Sequence, residues 1–507
     1  MEWIPKPKTK ADNWNGKQVE FHKSNTTVYP FRFAQSTHFC KLSPLNNSTQ
    51  KPMNHLNRRD FLKGSSALTA LASFGLLGMD FKDREGPIQV ALIGTGWYGK
   101  SDLFRLIQVA DVEVVGLCDP DRNILEAAGK LVSERQKSGK VPPLFEDYKK
   151  LLSETKPEYV LIGSPDHWHA LMAIDALKSG AHVYLQKPIS VDVIEGEAII
   201  AAARKYNKKV QVGTQRKSTP HLITAKKEVI DKGLLGKISH AEICCYFHMR
   251  ANGNPPVEPV PSFFNYDLWT GPAPLRPYDG LPHIRWWRTF IEYGNGITGD
   301  MCVHMLDTVR WMLKLGWPTQ ITSTGGIYVQ KEGKSNISDT QTAIFEYPEL
   351  NVVWQHRTWG NPVDKDYPWA FKIFGEHGYL AGSTMQADFI PYGDDKQPIH
   401  FDLVLEEEQF PEDVTEERIE LNAAPATRLH MKDWLSSIEK DTLPIADIQE
   451  GHISTASCIL ANISMDLGGR ALKYDQKTMT VIGDQEATAK LRRPYRKGYT
   501  HPEPKNV

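Results

Sequence analysis

Residues 88–100 read IQVALIGTGWYGK: a short apolar run breaks into Gly94, Gly96 and Gly99 and then continues into helix-forming sequence. The three glycines have separate tasks. Gly94 permits the tight turn, Gly96 lets the backbone approach a pyrophosphate, and Gly99 lets the following helix pack closely on the strand. Amides at the start of that helix would hold the anion. A second apolar run, VEVVGLCD, ends in Asp119, about 20 residues past the last glycine, where the dinucleotide fingerprint places a carboxylate for the adenosine ribose hydroxyls. Thr95, Trp97 and Tyr98 share the turn and are expected at the cofactor. Asp119 should repel a 2′-phosphate, and Arg122 is the nearby basic group that could accommodate one, so NAD is expected ahead of NADP. A glycine-rich turn in an unrelated α/β protein is the alternative for this segment taken alone.

The texture of the chain extends this reading. From residue 86 to 213, apolar runs (IQVALI, VEVVGLC, EYVLIG, HVYLQ, KVQVG) alternate with helical patterns such as Asp147–Glu154 and Val191–Tyr206, which predicts a doubly wound parallel sheet. From 214 to 475 the runs lengthen and alternate (ISHAEICCYFHM, TQTAIFEY, NVVWQHRTW, WAFKIFG), which suits a second, α+β domain built on a large, mainly antiparallel open sheet. Helical patterns return at Ala426–Lys440 and Ile448–Gly468, and residues 476–507 read as an irregular tail. A Pro/Trp/Tyr-rich insertion, Ala251–Glu292, interrupts the second domain, and connections of that length are usually functional. The 60 basic and 61 acidic residues nearly cancel, which disfavours nucleic acid or an anionic membrane as partner and favours a small molecule. Six cysteines fall in no CxxC or Cys/His ligand spacing, so neither a structural metal nor a disulfide framework is expected. The broad second sheet suggests a homo-oligomer.

Near the front, Asn57-Arg58-Arg59-Asp60-Phe61-Leu62-Lys63 precedes SSALTALASFGLLG, an apolar stretch too short for a stable membrane span. Residues 53–80 resemble a twin-arginine export signal, which implies a periplasmic or other extracytoplasmic site. Such signals lie near a free N-terminus, so Met53 is the expected start. Residues 1–52, polar and without periodicity, then read as a non-native or disordered extension.

Two further motifs carry a family resemblance. Tyr184-Leu185-Gln186-Lys187-Pro188 ends the fifth strand, and Gly299-Asp300-Met301-Cys302-Val303-His304 opens a helix in the second domain. With the glycine turn and Ser164-Pro165-Asp166-His167-Trp168-His169, the stretch from Ile88 to Asp475 resembles the glucose-fructose oxidoreductase and inositol dehydrogenase (Gfo/Idh/MocA) family. The resemblance implies that Lys187, matching the lysine of an E-K-P motif, binds the reacting hydroxyl beside the nicotinamide and stabilises its developing alkoxide. Gln186 stands where that family has glutamate, removing a carboxylate that could pair with Lys187. Asp300 and His304, four apart on one helical face, match D-x-x-x-H: His304 would take the hydroxyl proton and Asp300 would orient substrate and imidazole, with no metal required. For that pair alone, a capping aspartate beside a core histidine is the competing reading, and Asp307 one turn on reads as structural. Ser164, Pro165, Asp166 and His169 match P-N-x-x-H, with aspartate for asparagine, and would line the nicotinamide side of the cleft. His167 and Trp168 could face cofactor or substrate.

Sugars and cyclitols present C–H faces that aromatic rings cover while charged groups take the hydroxyls. Arg285, Trp286, Trp287 and Tyr293, together with Trp168 and Arg216, are the substrate-wall candidates; packing within the insertion, an oligomer interface, or a hinge anchored by Arg216 are the rival roles. The sequence therefore predicts an exported NAD(P)-dependent oxidoreductase that acts on a secondary alcohol of a sugar, glycoside or cyclitol and keeps its cofactor through many turnovers. The alternative is redox-neutral lyase, hydrolase or epimerase chemistry through transient oxidation. A non-catalytic sugar-binding scaffold is a third reading, kept open by Gln186.

Overall fold

The computed structural model describes residues 86–507 except 248, 252, 284, 394 and 416–418, so the paired arginines and everything before them lie outside the described residues. Strand β1 (Ile88–Ile93) is almost wholly buried, as a central strand of a parallel sheet must be. It leads through the glycine turn into α1 (Trp97–Val109). The alternation continues with β2 (Val112–Cys118), α2 (Arg122–Arg135), the two-residue β3 (Leu144–Phe145), α3 (Tyr148–Thr155), β4 (Tyr159–Ile162), α4 (His169–Lys178), β5 (His182–Leu185), α5 (Val193–Lys205) and β6 (Val210–Val212). The six strands are parallel in the order β3-β2-β1-β4-β5-β6. This order reverses direction at β1, and the crevice outside the carboxyl ends of β1 and β4 is where such sheets bind ligands.

After α6 (Pro220–Ala225) the chain enters β7 (Ile238–Cys245), then the insertion with its short helix α7 (Tyr266–Thr270), then α8 (Val303–Leu313). Strands β8 (Gln320–Gly326), β9 (Thr340–Tyr347), β10 (Leu350–Arg357), β11 (Trp369–Gly375), β12 (Gly378–Gly382), β13 (Gln386–Pro391) and β14 (Ile399–Asp402) complete an eight-stranded sheet ordered β14-β13-β12-β11-β7-β10-β9-β8. All its pairings are antiparallel except β7 with β10. Alternation sorts the two faces: Val352, Trp354, Phe345, Phe371 and Ile243 point into a core shared with α8 and with α11 (Ile448–Asp466), while Thr342, Ile344, Glu242 and Gln355 stand outward. Between them in sequence come the short α9 (Glu412–Thr415) and α10 (Ala424–Glu439).

Residues from late in the sequence complete the first sheet. Met431, Trp434 and Leu435 of α10 share a core with Leu92, Leu103, Phe104 and Tyr184. The amide of Val212 donates to the carbonyl of Ala446, just before α11. The closing segment is not a plain irregular tail: it pairs a strand (Thr480–Val481) with Tyr474–Asp475, forms a short helix (Gln485–Ala489) and sends Val481, Ala487 and Leu491 into the core. After these, the amide of Arg493 and the ring of His501 both bind the Asp192 carboxylate at the start of α5, and the Tyr495 hydroxyl binds Glu195. Among the described residues, no helix is long and apolar enough to cross a membrane.

Candidate active site

The glycine turn fits a pyrophosphate on geometry. Gly94 has φ +86°, open to glycine without strain, and a Cβ there would lie 2.5 Å from the amide nitrogen of Ser164. A Cβ on Gly99 would sit 2.0 Å from the Gly94 carbonyl oxygen, so strand and helix meet backbone to backbone. A Cβ on Gly96 would touch nothing within 4 Å, and the helix that this residue precedes has no side-chain cap. The unfilled space and free helix start at Gly96 are what an anion needs. Asp119, at the end of β2, accepts from the Thr95 amide (2.9 Å), the Thr95 hydroxyl and the Asp121 amide (3.0 Å). It thus braces the turn before meeting any ribose, and burial lifts its carboxyl to about 6.

The insertion closes over this adenosine edge. The carbonyl of Phe263 accepts from the Arg122 amide, the Asn265 amide donates to the Pro120 carbonyl, and Asp121 and Phe264 form a β-bridge. His283, stacked on Phe264 with ring centroids 3.8 Å apart, sets Nε2 2.8 Å from an Asp121 carboxylate oxygen. The Arg122 guanidinium is drawn to the Ser262 carbonyl and lies 3.7 Å from Glu146.

At the carboxyl end of β5 the chemistry converges. Lys187 Nζ lies 2.6 Å from Asp300 Oδ1 and 3.1 Å from the Asp300 carbonyl. Arg288 Nε approaches the same carboxylate oxygen at 3.3 Å while its guanidinium stacks 4.1 Å over Trp287. Burial would raise the Asp300 carboxyl, but the two cations outweigh it and hold it at about 2. The missing E-K-P carboxylate is therefore replaced across the domain junction: Asp300 is the counter-ion of Lys187. Gln186 turns instead to Asp102 on α1, donating through Nε2 at 2.6 Å. Burial pushes Asp102 up to about 8 despite that bond. Asp166 is also buried, and desolvation raises its carboxyl well above the usual range.

Asp300 lies in a π-turn (Thr298–Cys302) that runs directly into α8, so a widened helical turn, not a regular one, separates it from His304. His304 is buried edge-on against Trp369 of β11, ring centroids 5.4 Å apart, and its Nδ1 has no hydrogen-bond partner among the described residues. Desolvation first, then the charges of Lys187 and Arg216, drive its pKa far below the ordinary histidine value. Burial and the neighbouring cations thus favour the uncharged ring.

Several expected wall residues lie elsewhere. Trp168 is buried against Tyr148 and Tyr499, with its indole N–H on the Trp269 carbonyl, and is an anchor for α7. Trp287 and Tyr293 belong to an aromatic core with Phe264, Tyr266, Trp269 and Phe290, because an insertion cut off from the main core must build its own. Arg285 is exposed over the half-buried Trp286; Arg288, in the same run, is the arginine that reaches Asp300. His169 is clamped between the Pro188 carbonyl (2.7 Å) and the Ser164 carbonyl (2.9 Å), joining the loops after β5 and β4; Pro165 lies in the β4 loop. Asp307 is buried beside Lys217 and Ser454, a structural position. Trp97 stands half-exposed at the turn beside Tyr98, whose hydroxyl receives the Gln215 amide. Asp102 and Trp369 were not read as site residues, and Arg288 was read only as part of the aromatic run 283–288; Asp102 lies three residues past Gly99, the one positional signal available.

A glycine turn at the switch point of a doubly wound parallel sheet, with Lys187 at the end of β5 paired to Asp300 before α8, is the architecture of an NAD-binding Rossmann protein. Family models agree over most of this region. Residues 88–214 match "Oxidoreductase family, NAD-binding Rossmann fold", 222–322 match "Oxidoreductase family, C-terminal alpha/beta domain", and 275–381 match "GFO/IDH/MocA C-terminal domain". The chain belongs to the Gfo/Idh/MocA family. Residues 55–75 match a twin-arginine translocation signal, which marks the protein for export. It is 30% identical over 151 residues to an inositol 2-dehydrogenase/D-chiro-inositol 3-dehydrogenase of Lactiplantibacillus plantarum (29% of this chain, 41% of that one). It is 26% identical over 219 residues to an alpha-N-acetylgalactosaminidase of Shewanella oneidensis (39% and 47%). These alignments cover less than half of the curated relatives' length. The fold resembles a levoglucosan dehydrogenase solved with NADH and L-sorbose (TM-score 0.59, 14% identity, 77% of this chain and 100% of that one).

Proposed function

We propose that the protein interconverts a secondary alcohol and a ketone on a sugar, glycoside or cyclitol, with NAD held through repeated turnovers. The observation that carries this reading is the Lys187–Asp300 pair set beside a neutral, buried His304 at the sheet edge. When bound, NAD supplies the hydride acceptor. Lys187 donates a hydrogen bond to the reacting hydroxyl and steadies the oxygen as negative charge grows on it, while Asp300 and Arg288 fix the ammonium in place. His304 takes the hydroxyl proton, which a neutral imidazole can do without first losing its own. Asp119 favours NAD over NADP, and the nearby basic side chain Arg122 is committed to Ser262 and Glu146. The insertion zipped along residues 120–122 supports retention, an advantage for an exported enzyme. The outer face of the eight-stranded sheet is the surface we assign to a homo-oligomer.

A redox-neutral reading has its own support. Asp166, kept protonated by burial and within electrostatic reach of Lys187 and Asp300, could protonate a leaving group after transient oxidation acidifies a neighbouring C–H. The galactosaminidase relative makes the same suggestion.

The test is mass spectrometry of the cofactor released from purified protein, followed by nicotinamide absorbance during single turnover with sugars, keto-sugars and glycosides. Mainly NAD and a reduced cofactor after sugar addition are expected. Released NADP would reverse the cofactor assignment, and a cleaved product without lasting reduction would favour the redox-neutral reading. His283→Ala should speed loss of cofactor during dialysis; unchanged retention would remove the insertion from that role.

A further inference from the structure

Five arginines are buried among the described residues, and four of them hold carboxylate or carbonyl partners, although Arg105 Nε and Arg428 Nη2 are themselves without a hydrogen bond. Arg310 serves Gly316, Glu450 and Ser454; Arg428 serves Glu406, Asp413 and Gln108; Arg105 pairs with Asp413; Arg250 serves the carbonyls of Ile337, Gln330 and Ser335. Arg216 is the exception. It leaves β6 on a short 3₁₀ turn (Gln215–Ser218) and is 6% exposed, yet its Nε and Nη1 have no hydrogen-bond partner. A buried guanidinium without partners is costly, and a fold that keeps one has a use for it.

Its position indicates that use. The guanidinium lies 5.3 Å over the ring of Trp369, the same indole that contacts His304 edge-on and donates to the Met301 carbonyl. Arg216 and His304 therefore share one aromatic wall. Lys187 and Arg288 converge on the Asp300 carboxylate, whereas Arg216, on the same aromatic wall as His304, forms no ion pair with it. Glu420 and Tyr98 act on Arg216 only at a distance. A guanidinium fork matches a carboxylate geometrically, as an ammonium does not.

We propose that Arg216 binds the carboxylate of an anionic sugar, a uronic acid or its glycoside, whose hydroxyl is presented to Lys187 and His304. The inference rests on the secondary-alcohol reading of the same cleft. The experiment uses the purified holoprotein and matched pairs of methyl glycosides and methyl glycosiduronates in the gluco, galacto and manno series. Calorimetry reads binding, and nicotinamide absorbance of the same samples reads turnover. At least one uronate should bind about 100-fold more tightly than its neutral partner. Arg216→Gln should weaken the uronate far more than the neutral sugar, so that the preference disappears, and Arg216→Lys should recover part of it. Equal or weaker binding of every uronate by the wild-type protein overturns the proposal, whatever the variants do. So does loss of retained cofactor in Arg216→Gln with the preference intact, which would assign the guanidinium to the dinucleotide phosphates. Uronate binding without cofactor reduction would leave Arg216's role standing and remove the oxidoreductase reading; reduction by neutral sugars alone would do the reverse.

Discussion

At the phosphate turn, residues 94–99 make room by leaving side chains out, whereas the insertion fills its space with rings and delivers polar groups from its rim. Gly99 lets backbone meet backbone, and Gly96 leaves a gap for a ligand. The insertion instead stacks Phe264, Trp269, Trp287, Phe290 and Tyr293, and from that platform extends His283 to Asp121 and Arg288 to Asp300. The insertion thus reaches both the edge beside the turn, at Asp121, and the Lys187–Asp300 pair. Absent atoms can be read residue by residue, but delivered groups depend on packing many residues away.

The comparison breaks most visibly at the glycines. Gly99→Ala forces a methyl against the Gly94 carbonyl and should destabilise the protein by about 3 kcal/mol while abolishing cofactor retention. Gly96→Ala meets no protein atom, so with both proteins stripped of cofactor its melting temperature should match the wild-type value while dinucleotide binding falls about tenfold or more. Equal melting losses in both variants would show that Gly96 is merely structural.

On the insertion side, Arg288→Ala leaves Asp300 with Lys187 alone. With one of the two cations that depress it gone, the Asp300 pKa rises from about 2, and the acid limb of the pH–rate profile should move to higher pH. An unmoved limb would separate the insertion from the chemistry.

The smallest expected effect concerns Asp102. Its folded pKa, about 8, lies above the ordinary carboxylate value, so the folded protein holds a proton that the unfolded chain has released between about pH 4 and 8. Wild-type stability therefore falls with rising pH across that window. Asp102→Asn should be stabilised relative to wild type, with a gap that widens from pH 4 to pH 8 and then levels. A pH-independent gap would contradict the buried, protonated carboxyl.

The fold was legible where one residue decides one backbone event. Strand β1, the turn and α1 follow from apolar run, glycines and helix formers, and alternating burial made the second sheet readable as open and mainly antiparallel. The parallel pairing of β7 with β10 was not legible, because alternation fixes a strand's faces and not its neighbours. The structure brings Lys187 and Asp300, both read from motif and spacing, into contact and buries His304 against Trp369, although the π-turn carrying Asp300 left no signal. Trp168, Trp287 and Tyr293 were misplaced because a ring that walls a substrate and a ring that builds a local core have the same composition. Trp369 comes from the distant β11 and carries no local mark, and Asp102 is marked only by its place three residues past Gly99.

The central claim is that Lys187 and His304 act together on one hydroxyl. Single-turnover reduction of bound cofactor by an active sugar tests it most directly, since product release does not enter the measurement. His304→Ala and Lys187→Met should each slow that step by about 100- to 10,000-fold with cofactor still bound to His304→Ala, and the double variant should lose far less than the product of the two. Hydride transfer at the wild-type rate in His304→Ala, or fully multiplicative losses, would contradict the account.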